Sequence, residues 1–242
     1  MRAAQPDEFD PRDFLPATEK NTADLLATAQ AAIEQIQNPH LVALVRYFFD
    51  DPEFIRNLSE APAAKRVHHA YLGGMLEHLA EVLAVCETVL TLYPAIDADL
   101  LRTGALLHDL GKLRELAWSP DIEYTDEGRL LGHVVLGAEM LAHALRQFPD
   151  FPPELALRVR HMLVAHHGRL EYGSPRQPRT LEAIALHKIE DLSAQINRFQ
   201  SLLDARREVE GAWTRFDRLL GRSLYGGPGD DEPAAPDEAT DE

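Results

Sequence analysis

The segment GALLHDLGKLREL, residues 104–116, ends an apolar helical run with an imidazole and a carboxylate side by side, His108 and Asp109. An ionised carboxylate is costly to take out of water unless it is paired or coordinated, so a leucine-rich core has no use for Asp109 alone. Similar polar intrusions recur: His78 closes GGMLEH, His133 closes LLGH, His166 and His167 sit in VAHHG, and Asp191 lies in HKIEDL. Ten of the eleven histidines fall between residues 68 and 187, which makes a shared purpose the better reading. Neutral imidazole with carboxylate is a donor set for divalent manganese, iron, cobalt, nickel or zinc, and the lack of thiolate argues against structural zinc. A group of merely buried histidines would leave Asp109 and Asp191 unexplained.

These residues come from five predicted helices, and inward side chains from several helices are how a bundle assembles a metal site. Apolar positions recur at helical spacing, as in Leu76, Leu79, Leu83, Cys86 and Leu90, so the expected fold class is all-α. Helices are predicted near 22–36, 39–49, 51–58, 62–92, 98–109, 132–147, 153–167, 178–202 and 204–220. Pro152-Pro153-Glu154 marks a helix start, and Gly111 and Gly168 mark stops that turn left-handed. Gly73-Gly74 either kinks the long helix at 62–92 or admits another backbone closely. The only strands expected form a small hairpin near 122–131, turned at Asp126-Glu127-Gly128.

Length and composition fit one helical domain over residues 21–225, with a polar lead at 1–20, disordered or loosely docked, and an acidic disordered tail at 226–242. The formal charge is −16, and the body stays acidic without the tail, which excludes a passive basic coat for nucleic acid. A phosphate-bearing substrate must therefore meet a local cluster or a metal. The single cysteine, Cys86, rules out an internal disulfide framework. The N-terminal residues lack a signal-peptide pattern and no apolar run is long enough to cross a bilayer, so a cytoplasmic protein with no membrane partner is expected. No GxGxxG, Walker loop or Gly-x-Ser-x-Gly elbow is present.

The order of a histidine, a His-Asp doublet and a distant aspartate resembles the HD-domain superfamily of metal-dependent phosphohydrolases. The stretches KRVHHAYLGGMLEHLAEV, GALLHDLGKLREL, YTDEGRLLGHVVLG, HMLVAHHG and GSPRQPRTLEAIALHKIEDLSAQIN look like the HD domain of the YhaM family of 3'-5' exoribonucleases, over residues 60–200. The resemblance implies two divalent cations, manganese favoured over iron, cobalt, nickel or zinc. One takes His78, His108, Asp109 and Asp191; the second shares Asp109 and adds His133 with His166, with His167 as a further candidate. Cations sharing a carboxylate lie about 3.5–4 Å apart and can hold a bridging hydroxide as nucleophile toward phosphorus. Lys112 reaches a phosphate oxygen in this reading. Arg129, Arg176 and Arg179 are candidate phosphate clamps, and His68 and His69 fall on the substrate side. His161 lies about 140° round its helix from His166 and is not expected to share its cation. His187 is either packed or supports a ligand.

The activity implied is 3'-5' cleavage of RNA or short oligonucleotides. That family carries an N-terminal OB-fold domain, for which the helical segment before residue 60 is too short, so short oligonucleotides compete with long RNA as substrate. A nucleotide phosphohydrolase or cyclic-nucleotide phosphodiesterase is the alternative enzyme, and a metal-stabilised binding protein the non-catalytic one. Helices near 22–58 and 204–220 are candidate faces for a homo-oligomer.

Overall fold

The computed structural model describes residues 15–206 and 212–227, which divide into two compact units after Ala194. Residues 1–14 of the predicted lead and 228–242 of the acidic tail lie outside the described residues.

The first unit is helical because its segments carry start signals as well as apolar stripes. Asn21 and Asn38 accept from the first-turn N–H groups of α1 (Thr22–Glu34) and α2 (Pro39–Phe49); Asp51 does so for α3 (Pro52–Glu60) and Asp97 for α5 (Ala98–Leu107). Each such cap contributes about 1 kcal/mol. α4 (Gly74–Leu92) lies against α1, α3 and α5, and its Leu76 and Leu83 are fully buried with Leu41, Leu44, Leu100 and Leu101. α6 (Lys112–Glu115) packs on α7 (Asp126–Leu145), which contacts α8 (Pro153–Ala165) in turn. α9 (Leu181–Arg206) presents Ala183, Leu186 and Ile189 to the core. Residues 15–20 are docked: Thr18 N–H donates to Leu72 O and Leu72 N–H to Pro16 O, while Lys20 pairs with Glu77 and Glu81. Among the described residues no helix is long and apolar enough to cross a membrane.

The predicted helix at 62–92 starts only at Gly74. Gly73 adopts φ +77° and heads the helix, and the carbonyl of His69 approaches Gly74 so closely that a Cβ there would overlap it. The pair therefore begins a helix and admits a loop rather than kinking a longer one. Gly168 does turn left-handed, but Gly111 has φ −65°. Its purpose is proximity: a Cβ would strike the His133 carbonyl and the Gly137 nitrogen on α7. The hairpin is real but displaced, pairing β1 (Leu116–Ala117) with β2 (Glu123–Tyr124). Asp126, Glu127 and Gly128 open α7 instead, because Thr125 Oγ1 accepts from Gly128 N–H and caps it. α7 breaks at Gly132, where φ is +73°.

The second unit overturns the helix predicted at 204–220. α9 ends at Arg206, residues 207–211 lie outside the described residues, and 212–227 form a hairpin-like loop with bridges Trp213–Tyr225 and Asp217–Arg222. Asp217 accepts from the N–H groups of Leu219 and Leu220 and pairs with Arg198, so its side chain stabilises a turn where charge spacing alone suggested a helical face.

Because the atoms facing Gly111 are backbone and cannot swing aside, Gly111→Ala is expected to destabilise the protein by about 1–3 kcal/mol in urea unfolding. Wild-type stability in that variant would refute the tight α6–α7 approach.

Candidate metal centre

His108 and His166 are set by one device. Each is the first residue past a helix end, where last-turn carbonyls lack intrahelical partners. His108 Nδ1 donates to Ala105 O at 2.8 Å, and His166 Nδ1 to Leu163 O at 2.6 Å. A carbonyl only accepts, so Nδ1 carries the proton and Nε2 keeps its lone pair. Two further rings reach the same state through side chains. His78, on α4, directs Nδ1 at Ser193 Oγ (3.2 Å), whose own proton goes to Glu81 Oε2 at 3.1 Å. His133, just beyond the break in α7, sets Nδ1 3.1 Å from Glu115 Oε1, which also accepts from its backbone N–H.

All four Nε2 atoms converge on Asp109. Its Oδ2 lies 2.6 Å from Lys112 Nζ, 3.2 Å from His108 Nε2 and 3.7 Å from His78 Nε2. Its Oδ1 lies 3.6 Å from His166 Nε2 and 3.8 Å from His133 Nε2. Each oxygen thus faces its own pair of imidazoles. Ligands held about 2.1 Å from one cation stand about 3–3.5 Å apart, so these spacings are a slightly opened coordination shell. Nε2 of His78, His108 and His166 and both Asp109 oxygens are buried without a hydrogen bond of acceptable geometry, although Lys112 balances the charge of Oδ2. Unmet buried acceptors of this kind fit divalent cations.

Donor atoms lie within 4.8 Å of one another in the groups His78–His108–Asp109, His133–His166–His167 and His68–His78–Glu190. His133 Nε2 and His167 Nε2 are 2.8 Å apart, a separation that needs a proton or cation between them. The carboxylate that α9 offers is Glu190, not Asp191. The buried face of α9 runs through Ala183, Leu186, His187, Glu190 and Ser193, and Asp191 stands one position round, half-buried and outside these groups. Extending the buried stripe of this helix by threes and fours from Leu186 would have selected Glu190.

Other expectations separate in space. Lys112 is buried on Asp109. His69 turns to Glu81, with Nε2 3.1 Å from Oε2. Arg129 is exposed and paired with Glu123, and Arg176 and Arg179 lie on the exposed 169–180 loop. His187 donates Nδ1–H to His166 O and so braces the His166–His167 turn, while His161 accepts from the Arg179 N–H instead of joining the centre. Sequence reasoning missed Glu190, Glu115, Glu81 and Ser193. A groove of about 840 Å³ between Tyr47, Phe54, Leu113, Arg114 and Met140 includes none of these donors.

The electrostatics keep four of the rings neutral. Burial, reinforced by Lys112 or by neighbouring imidazoles, holds His78 and His166 well below the ordinary histidine range, and His68 and His167 at about 3. Burial would raise the Asp109 carboxyl, but His108 and Lys112 prevail and hold it well below its usual range. His108 is raised: burial opposes its charge, yet adjoining Asp109 outweighs that.

A model of the HD domain matches residues 75–195. The chain belongs to the HD-domain family. Within that family it is 35% identical over 213 residues to the 3'-5' exoribonuclease YhaM of Shouchella clausii strain KSM-K16, and 33% identical over 214 residues to the 3'-5' exoribonuclease YhaM of Bacillus subtilis strain 168. The alignments cover 88% of this chain and 66% and 67% of the relatives, so it spans about two thirds of their length. No solved structure matches it significantly.

Two outcomes follow for this HD centre. Unfolded imidazoles take protons near pH 6.5, whereas His68, His78, His166 and His167 resist them when folded. The unfolded state therefore binds more protons between about pH 6.5 and 3, and stability falls with pH through that window, with raised His108 opposing in part. Thermal unfolding of chelator-treated protein is expected at a lower temperature at pH 5 than at pH 7; a higher one contradicts the neutral rings. Ser193→Ala, which removes the acceptor for His78 Nδ1–H, is expected to weaken manganese binding about 10- to 100-fold by calorimetry, and unchanged affinity would show that Ser193 does not orient the ring.

Proposed function

We propose that the chain is a metal-dependent 3'-5' exoribonuclease acting on RNA or short oligonucleotides, with two divalent cations sharing Asp109. The observation that carries this reading is the division of imidazoles between the two Asp109 oxygens, with His78 and His108 at Oδ2 and His133 and His166 at Oδ1. The substrate class is supported by the similarity to the YhaM exoribonucleases over most of the chain.

In this reading one cation is held by His78, His108, Asp109 and Glu190, the other by Asp109, His133, His166 and His167. Manganese suits an imidazole and carboxylate set without thiolate, and iron, cobalt, nickel or zinc can occupy it. Bound there, the cations supply Lewis acidity toward phosphoryl oxygens and make water a stronger acid. The protein's own part is positional. Backbone carbonyls, the Ser193 hydroxyl and the Glu115 carboxylate accept from Nδ1 of His108, His166, His78 and His133, so these four Nε2 atoms face inward as lone pairs. Lys112 fixes Asp109 Oδ2 and offsets its charge; buried and engaged there, it is assigned to Asp109 rather than to a phosphate. Arg176 and Arg179, exposed beyond the His166–His167 turn, are cations available to a phosphodiester backbone. A cytoplasmic setting accords with the sole cysteine, buried and unpaired.

Purified protein with manganese and a 5'-labelled oligoribonucleotide is expected to give a ladder shortening from the 3' end, and Asp109→Ala to slow it about 10³-fold or more. Intact oligonucleotide beside hydrolysed mononucleotide or cyclic nucleotide would refute the exoribonuclease reading, as would inertness toward all three.

A further inference from the structure

We propose that His68 is a further nitrogen ligand of the cation held by His78 and Glu190, supplied by a loop where the other ligands come from helices and their ends. This rests on the two-cation reading above.

The loop between α3 and α4 is wired to deliver this ring. His69 adopts φ +47°, a left-handed conformation that side-chain-bearing residues rarely hold without compensation. The compensation is visible: His69 O accepts from Ala63 N–H at 3.0 Å and lies against Gly74, where any Cβ would displace it. The left-handed residue sends two consecutive imidazoles in different directions. The two rings stand at 87° to one another, each with its centroid 5.3 Å from that of His78: His69 joins the donors of Glu77 and Glu81, and His68 those of His78 and Glu190.

The His68 residue is only half-buried, so a purely packed ring could turn its polar edge to water. Instead its Nε2 is buried without a hydrogen-bond partner, and its donor atom lies within 4.8 Å of donors on both His78 and Glu190. An unmet imidazole nitrogen among another imidazole and a carboxylate has the chemistry of a ligand. With His78, His108, Asp109 and Glu190 already directed there, His68 raises the donor count toward the five or six that manganese accepts.

The test is manganese titration of metal-stripped full-length protein, followed by the electron paramagnetic resonance of the free ion. Wild type is expected to show two sites. His68→Ala is expected to weaken one about 10- to 100-fold and leave the other unchanged, whereas His133→Ala weakens the complementary site. His68→Phe keeps an aromatic ring without a donor and tests the same nitrogen should the alanine variant fail to fold. Two unchanged affinities in a folded His68 variant overturn the assignment, even if turnover is lost, because that pattern describes a substrate contact. Absence of manganese binding in wild type overturns the two-cation reading itself, a different result from a selective defect at one site.

Discussion

The burial of one carboxylate organises this protein. Asp109 is 5% exposed and has both oxygens inside a leucine-lined bundle. Charge in such a place has to be compensated from close by, and each nearby element does part of that work. α6 begins three residues later, and its first residue, Lys112, folds back onto Oδ2. Gly111 has no side chain, so α7 approaches closely enough to bring His133 to Oδ1. The ends of α5 and α8 contribute His108 and His166. Take away the need to stabilise that carboxylate and the convergence of these helices loses its physical reason.

Ring orientation is settled before any ligand arrives. Each of the four imidazoles facing Asp109 has its outer nitrogen tied to an acceptor: two backbone carbonyls, the Ser193 hydroxyl and the Glu115 carboxylate. Acceptors fix a tautomer where donors would have inverted it. The Ser193 link continues to Glu81 and on to Lys20, so the docked segment at residues 15–20 is joined through hydrogen bonds to His78. Rigidity here is a property of connected side chains as much as of helix packing.

Much of this was legible in the sequence. The apolar periodicity gave α2 over 39–49 to the residue, and an acidic group inside a leucine run pointed to compensation at Asp109. What escaped depends on tertiary contact. Asp191 and Glu190 are adjacent, and only the packed face of α9 decides which points inward. Gly111 looked like a left-handed stop, but its conformation is ordinary and its meaning lies in the α7 backbone opposite. The helix expected at 204–220 failed because Asp217 spends its carboxylate on a local turn. The loop at 61–73 carried helix-forming residues, and the approach of the His69 carbonyl to Gly74 delays the helix until that point.

The arrival of α5 and α8 by their C-terminal ends has an electrostatic consequence. Aligned peptide dipoles give such an end roughly half a negative charge, the opposite polarity from the helix starts that bind phosphate. Together with Asp109, Glu115 and Glu190, and offset in part by Lys112, two such ends make the centre a place suited to cations. On the proposed reading, a phosphodiester strand is attracted there only once dications reverse the local field, so metal would load before substrate.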